Sequence, residues 1–293
     1  MNVRGFGVKS KFGWVKGMCF NERPNVAAFQ ETKCKNLSFN WVCSLWGNCD
    51  FDFIQKDAIG NSGGLLFVWD TTSFVVESAL VSDFFVAIRG KWCGSRHETV
   101  VANVYGPHTD SKKWEMWNTL DNVLQNIDSA WVICGDFNEV REQSDRLNCV
   151  FIQARADRFN NFIVSNSLID IPINGKKFTR ISDDGTKFSK LDRFLVNDNF
   201  IKLWKDLSVV ALDRRESDHC PLVLRDKVID FGPKLFKVFD EWLNKDDAIR
   251  IINEAWVKPI IGSRKDCMFR DRLKNVKNDL RKWSKSEFGS LDV

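Results

Sequence analysis

Four short motifs, in a fixed order, carry side chains suited to phosphoryl chemistry: Gln30-Glu31-Thr32, Gly135-Asp136-Phe137-Asn138, Leu191-Asp192-Arg193-Phe194 and Ser217-Asp218-His219. Hydrolysing a phosphodiester requires an activated water, a cation on the phosphoryl oxygens, and groups that stabilise the charge developing in the transition state. Glu31 follows the apolar run Val26-Ala27-Ala28-Phe29 and can hold Mg²⁺ through one carboxylate oxygen, with water and phosphate completing the octahedron. Taken alone it also reads as a surface glutamate at a strand end. Asp136 and Asn138, at i and i+2, lie on one side of the chain, with Gly135 allowing a tight exit. The carboxylate can take a proton from the attacking water while the amide orients it. The same four residues also fit a simple turn.

His219 adjoins Asp218, and Asp192 can hold its imidazole. A carboxylate that accepts one ring N–H fixes the tautomer and favours the charged form, which leaves the other nitrogen to donate to the phosphate. A lone Ser-Asp-His is more often an ordinary loop. Tyr105 is the only tyrosine in a chain with 24 phenylalanines. Its hydroxyl therefore calls for a polar partner, either a phosphate oxygen or a buried backbone carbonyl.

The elements that must position these groups follow from apolar spacing. Helices are predicted over residues 9–21, 37–46, 112–127 and 153–166. Short buried strands are predicted at 26–29, 51–55, 65–69, 131–134, 178–181, 190–196, 207–212 and 221–224, with a consecutive run at 74–80, 84–91 and 98–105. Strands in succession without helices argue for antiparallel pairing, and the later alternation argues for an α/β layered sandwich. After Arg225 the texture changes: Asp230-Phe231-Gly232-Pro233 punctuates the chain, and residues 247–257 and 270–283 read as helices. Two domains are expected, 1–225 and a helical connector over 226–293.

The chain has 293 residues and 44% hydrophobic content, including 12 tryptophans, enough for a large core. It has no apolar run of about 18 residues and no signal-peptide pattern at its start, so a membrane partner is not expected and an intracellular location is. Nine cysteines without a CxxC pair read as reduced thiols, and three histidines cannot assemble a His-rich metal site. Acidic and basic residues balance up to residue 224, so the whole net charge of +4 lies in the last quarter. That basic tail fits either nucleic-acid phosphates or a solvated amphipathic helix.

In this order and spacing, Asn2-Val3-Arg4-Gly5, Gln30-Glu31-Thr32, Gly63-Gly64-Leu65, Tyr105 with Pro107, GDFN, LDRF and SDH make residues 2–225 resemble the exonuclease/endonuclease/phosphatase superfamily. The likeness is greatest to the endonuclease domain of plant LINE-type (non-LTR) retrotransposons. Residues 226–293, including Glu287-Phe288-Gly289, look like the connector that precedes the reverse transcriptase there. The resemblance implies a four-layer α/β/β/α sandwich and a Mg²⁺-dependent (or Mn²⁺-dependent) enzyme that nicks DNA. Its implied partners are DNA and a reverse transcriptase domain, and its implied location is the nucleus.

Carried over by motif, Asn2, Glu31 and Asp218 would surround the metal and Tyr105 would contact the phosphate. Asp136 would activate water and Asn138 would orient it, with Asp192 and His219 as the charge-stabilising pair. Thr179 would touch the DNA backbone. The chain departs from the pattern at Arg4, where some relatives carry an acid, and at Arg180, where an aromatic residue is common. Only Met1 precedes Asn2, where relatives have a complete apolar strand. The expectation is therefore a fragment or decayed element with a correctly written site on a weakened scaffold. Its alternatives are an inactive nucleic-acid-binding relic and a phosphatase of small phosphoesters.

Overall fold

The computed structural model describes residues 1–60, 62–226, 236, 238, 240–260 and 265–288. Local chemistry explains where its elements begin and end. Helix α1 (Lys9–Glu22) stops at Arg23, whose left-handed φ of 45° lets its N–H reach Cys19 O. Pro24 then leads into β1 (Val26–Gln30). Helix α2 (Phe39–Trp46) begins at Ser38, whose side chain accepts from Trp41 N, and ends at Gly47 with a φ of 102°. Five strands follow: β2 (Phe51–Lys56), β3 (Leu65–Asp70), β4 (Phe74–Val81), β5 (Phe85–Trp92) and β6 (Glu98–Tyr105). The last three pair antiparallel in succession, as their lack of intervening helices predicts.

Helix α3 (Asp110–Asn126) crosses over to β7 (Ala130–Asp136), which therefore pairs parallel with β6. The remainder of this part is β8 (Arg146–Leu147), α4 (Gln153–Ser165), β9 (Leu168–Asp170), β10 (Ile173–Asn174), β11 (Arg180–Ile181), β12 (Phe188–Ser189), β13 (Asp192–Asn197), α5 (Asp198–Leu203), β14 (Leu207–Ala211) and β15 (Leu222–Asp226). The short strands β8 to β10 and β12, together with α5, escape a reading based on periodicity. Runs of two to six residues hold too little of either repeat to register.

The layers are α/β/β/α. A six-stranded sheet, ordered β4-β5-β6-β7-β13-β9, occupies one inner layer. The other holds two three-stranded sheets, β1-β3-β2 and β10-β14-β15. Met116, Trp117 and Leu120 of α3 and Phe159, Phe162 and Ile163 of α4 pack on the outer face of the large sheet. Between the sheets lie Phe67, Phe74, Ile88, Val132 and Val196, and α1 and α2 close the far side through Val15, Cys19, Val42 and Leu45. Residues 1–3 run along β1: Asn2 forms a parallel bridge with Gln30, and Val3 N donates to Gln30 O at 2.9 Å.

Two compact units are present, Met1–Ile229 and Asp230–Val293. The second contains α6 (Asp240–Leu243), α7 (Asp246–Trp256) and α8 (Lys265–Phe288), with a small core of Trp242, Ala248 and Leu280. The Asp230-Phe231-Gly232-Pro233 motif and Gly289 lie outside the described residues. No helix among the described residues is long and apolar enough to cross a membrane.

Gly135, near the end of β7, is the backbone position on which the rim depends. Its φ is 139°, and an added Cβ would lie 2.0 Å from Val104 O of the neighbouring strand. The clash is with backbone, so relief requires separating β6 from β7. Gly135→Ala is expected to destabilise the fold by about 2–4 kcal/mol, seen calorimetrically as a fall in Tm of about 5–10 °C.

Candidate active site

The rim where β1, β6 and β7 end and β13 begins gathers residues from six separate parts of the chain. Glu31 leaves β1 with a left-handed φ of 56°, which turns its carboxylate away from the ladder. Asp136 ends β7 opposite Asp192, the first residue of β13, in direct antiparallel register. Asn138, also left-handed at φ 48°, donates through Nδ2 to Gly106 O at 2.7 Å. Its backbone N–H donates to Asp136 Oδ1 at 2.9 Å. The Asp and Asn of GDFN thus form a turn and also aim two polar groups into one cavity, so both readings of the motif hold together.

The imidazole of His219 is clamped. Its Nδ1 lies 2.8 Å from Asp192 Oδ2, and its Nε2 lies 3.7 Å from Asp136 Oδ2. Burial alone would lower the imidazole's pKa, but the carboxylates of Asp192 and Asp136 overcome it and push it up to about 9. Asp136 is itself raised above the ordinary carboxylate range, because burial outweighs the facing imidazolium. Asn2 completes the contact, donating through Nδ2 to Asp136 Oδ2 at 2.9 Å. Ser217 locks the arrangement: its hydroxyl donates to Asn2 O at 2.9 Å and accepts from His219 N at 3.1 Å.

Eight of the nine residues expected at the site converge here, but Asp192 acts from behind His219. The other seven line a cavity of about 430 Å³. Tyr105 faces Glu31, and burial together with the carboxylates of Glu31 and Asp136 pushes its hydroxyl well above the ordinary phenol range. The hydroxyl is therefore a protonated donor. Thr179 is placed differently. It is wholly buried, and its Oγ1 accepts from the backbone N–H groups of Leu191 and Asp192, each at 3.0 Å. Its side chain anchors the start of β13, and with it the carboxylate that holds His219.

Several residues passed over in the sequence are built into the rim. Gln30 and Asn103, both fully buried, hydrogen-bond to each other, and Asn103 Nδ2 also donates to Phe29 O and Leu66 O. An asparagine inside the apolar run Thr99–Tyr105 was the available signal. Lys113 pairs with Glu139 and donates to Asn138 O at 2.6 Å, which fixes the GDFN turn from behind. Arg180 Nε and Arg4 Nη1 lie 3.1 and 3.6 Å from Asp218 Oδ2. The two departures at positions 4 and 180 thus meet on one carboxylate. Arg193 of LDRF, by contrast, turns inward to Asp145 and Asp170, each at 2.5 Å.

The donor set suits a hard divalent cation. Among the described residues, Asp218 Oδ1 is buried with no hydrogen-bond partner, and the Glu31 carboxylate pairs with Lys33 at 3.7 Å. Asn2 Oδ1 accepts from Arg4 N at 2.9 Å, and an amide oxygen has a second lone pair to offer. Asp136, Asp192 and His219 also bring ligand atoms within 4.8 Å of one another. There one imidazole lies between two carboxylates, whereas Glu31, Asn2 and Asp218 offer oxygen donors that could hold a cation.

The family model described as "Endonuclease/Exonuclease/phosphatase family" matches residues 1–219. No curated protein matches the chain. Among solved structures, an AP endonuclease from Leishmania major aligns with a TM-score of 0.61 at 14% identity, covering 75% of this chain and 84% of that one. The endonuclease domain of TRAS1, a telomere-specific non-LTR retrotransposon, aligns with a TM-score of 0.53 at 13% identity, covering 76% and 94%. The 3′ phosphatase NExo from Neisseria, solved with product DNA hairpin, gives 0.57 at 15% identity, covering 74% and 94%. At these identities the likeness shows a shared fold.

The clamp makes a testable statement about protons. The His219 ring is expected to titrate near pH 9 by NMR, and Asp192→Asn to bring that midpoint down toward the ordinary imidazole value. Because the folded pKa lies above the unfolded one, the His219 contribution to stability is fully present below about pH 6.5 and is lost as pH rises through the folded pKa. Denaturant titrations across this window check the sign.

Proposed function

The chain belongs to the endonuclease/exonuclease/phosphatase family, and from that membership we propose that it is a metal-dependent endonuclease that nicks DNA, derived from a plant LINE-type retrotransposon polyprotein. The observation that carries this reading is that Asp136 and His219, the latter held from behind by Asp192, line one cavity with Glu31, Asn2 and Asp218. Mg²⁺ is the expected cation and Mn²⁺ an acceptable one, because every available donor on that side is oxygen. Bound there, the cation would neutralise charge on the phosphoryl oxygens.

The chain's own groups supply the rest. Asp136, whose proton affinity is raised by burial, takes a proton from the attacking water. With its Nδ2 held by Gly106 O, Asn138 presents its oxygen to that same water. Protonated His219, held through Nδ1 by Asp192, offers Nε2–H to the developing negative charge, and the Tyr105 hydroxyl donates to another phosphoryl oxygen. Arg4, Arg146, Arg155 and Arg180 also line the cavity. A cationic rim around an acidic floor suits a polyanionic chain better than a single small phosphoester. The structural relatives include an AP endonuclease and a retrotransposon endonuclease, which agrees with DNA as the partner. A reverse transcriptase domain is the protein partner that this reading implies, and the nucleus its site of action.

The deciding experiment is nicking of supercoiled plasmid by the purified chain. Mg²⁺-dependent nicking is expected, abolished by EDTA and reduced at least about 10³-fold by Asp136→Ala or His219→Ala, with the fold retained by circular dichroism. Wild-type rates in either variant would remove that residue from the mechanism. DNA binding without cleavage by folded protein would identify an inactive binding relic, and faster phosphate release from small monoesters than nicking would identify a phosphatase.

Arg180 gives a second test. Arg180→Ala is expected to weaken binding of a duplex about 5- to 10-fold and to reduce the slope of log affinity against log salt by about 1, as loss of one phosphate contact requires. Equilibrium binding in EDTA over a salt series measures both.

A further inference from the structure

Helix α8 (Lys265–Phe288) of the second unit carries eight basic residues against four acidic ones. The excess is not spread evenly around it. At about 100° per residue, Arg270, Lys274, Lys277, Arg281 and Lys285 fall within an arc of about 80°, and no acidic residue of the helix falls in that arc. All five are exposed, and the stripe they form runs for about 22 Å along the helix axis.

The acids whose side chains are described in this helix find their cations off the stripe or at its very end. Asp279 pairs with Lys258 at 2.5 Å, Glu287 with Lys245 at 2.6 Å, and Asp271 with the adjacent Arg270 at 3.4 Å. Among the described residues, Lys274, Lys277, Arg281 and Lys285 have no ion-pair partner. Like charges three and four residues apart repel one another and weaken a helix. The stripe therefore opposes the helix that carries it until an anion meets it.

The rest of α8 narrows the choice of anion. A helix that lies on a membrane turns an apolar face outward beside its bases, but Val276, Leu280 and Trp283 are turned into the unit's own core. Binding a single strand calls for free aromatic faces on which bases stack, but Trp283 and Phe288 pack with Trp242, and Phe269 packs with Trp256. A linear row of lysine and arginine with neither feature matches a duplex backbone, which presents one negative charge per about 1.7 Å of axis.

We propose that the exposed stripe of α8 is a docking surface for the phosphate backbone of duplex DNA, gripped without regard to base sequence. Binding there uses none of the residues assigned to hydrolysis. The choice of DNA over RNA rests on the nicking reading, whereas the choice of a duplex backbone follows from the helix itself.

The test is equilibrium binding of a short labelled DNA duplex to the whole chain in EDTA over a salt series. The combined variant Lys274→Gln, Lys277→Gln, Arg281→Gln and Lys285→Gln is expected to lower the slope of log affinity against log salt by about 3 to 4, since each lost phosphate contact removes about 0.9. A charge-matched control, Lys9→Gln, Lys16→Gln, Lys35→Gln and Lys202→Gln at exposed positions of the first unit, is expected to lower it by less than about 1. In the wild-type chain, saturating duplex should slow acetylation of Lys274, Lys277 and Lys285 about fivefold or more, because an amine held on phosphate is shielded from the reagent; this reading needs no variant to fold. Equal slopes in the two variants, an unchanged slope in the stripe variant, or unprotected lysines would each overturn the proposal. So would stripe-dependent binding that is stronger for an RNA duplex, or for phosphatidylserine vesicles, than for the DNA duplex. Nicking is read separately on plasmid, so an inactive chain that still shows the stripe effect upholds this proposal and removes only the other.

Discussion

Charge buried at the sheet rim is the constraint around which the first unit is organised. Asp136, Asp192, Asp218 and His219 are each nearly inaccessible, and isolated charges in such a place would cost several kcal/mol each. They are tolerated because each is answered. His219 lies between two carboxylates, Asp218 meets two guanidinium groups, and Asp136 accepts from Asn2 and Asn138. What remains unanswered is a few buried oxygens, Asp218 Oδ1 and Asp192 Oδ1 among them. The same low-polarity surroundings that make these atoms costly also strengthen every interaction they make with a substrate.

The fold supplies the rigidity that this balance requires. Asp136 and Asp192 sit in register on adjacent antiparallel strands, so their separation is set by the ladder and not by loop conformation. Behind them, Thr179 holds the first amides of β13, Ser217 ties His219 to the backbone of Asn2, and Lys113 ties α3 to the GDFN turn. Left-handed backbone at Glu31 and Asn138 re-aims both side chains at the point where the strands end. Such conformations persist where the surrounding structure over-determines them.

The two cavities of this unit show the same principle in opposite chemistry. The polar one has more charge than its own partners satisfy and suits a cation with a phosphate. The apolar one, between β1 and β15, is walled by core side chains such as Phe67 and Val132. They meet near residues 1–3, where the pairing with Gln30 places Asn2 against Asp136.

Much of this was legible in the sequence. The motifs around Glu31, Asp136, Asp192 and His219 named the chemical groups, and apolar spacing located α1, β6, α3 and α4 closely, because long elements repeat their pattern often enough to be read. The short strands, and the role of Thr179 as an anchor in place of a surface contact, were not legible. Nor was the meeting of Arg4 and Arg180 on Asp218, residues 4, 180 and 218 being far apart along the chain. Local sequence determines which groups exist and which strand ends carry them. Only the stacking of the sheets decides which carboxylate faces the imidazole and which guanidinium answers which acid, because those depend on contacts between residues that no local pattern links.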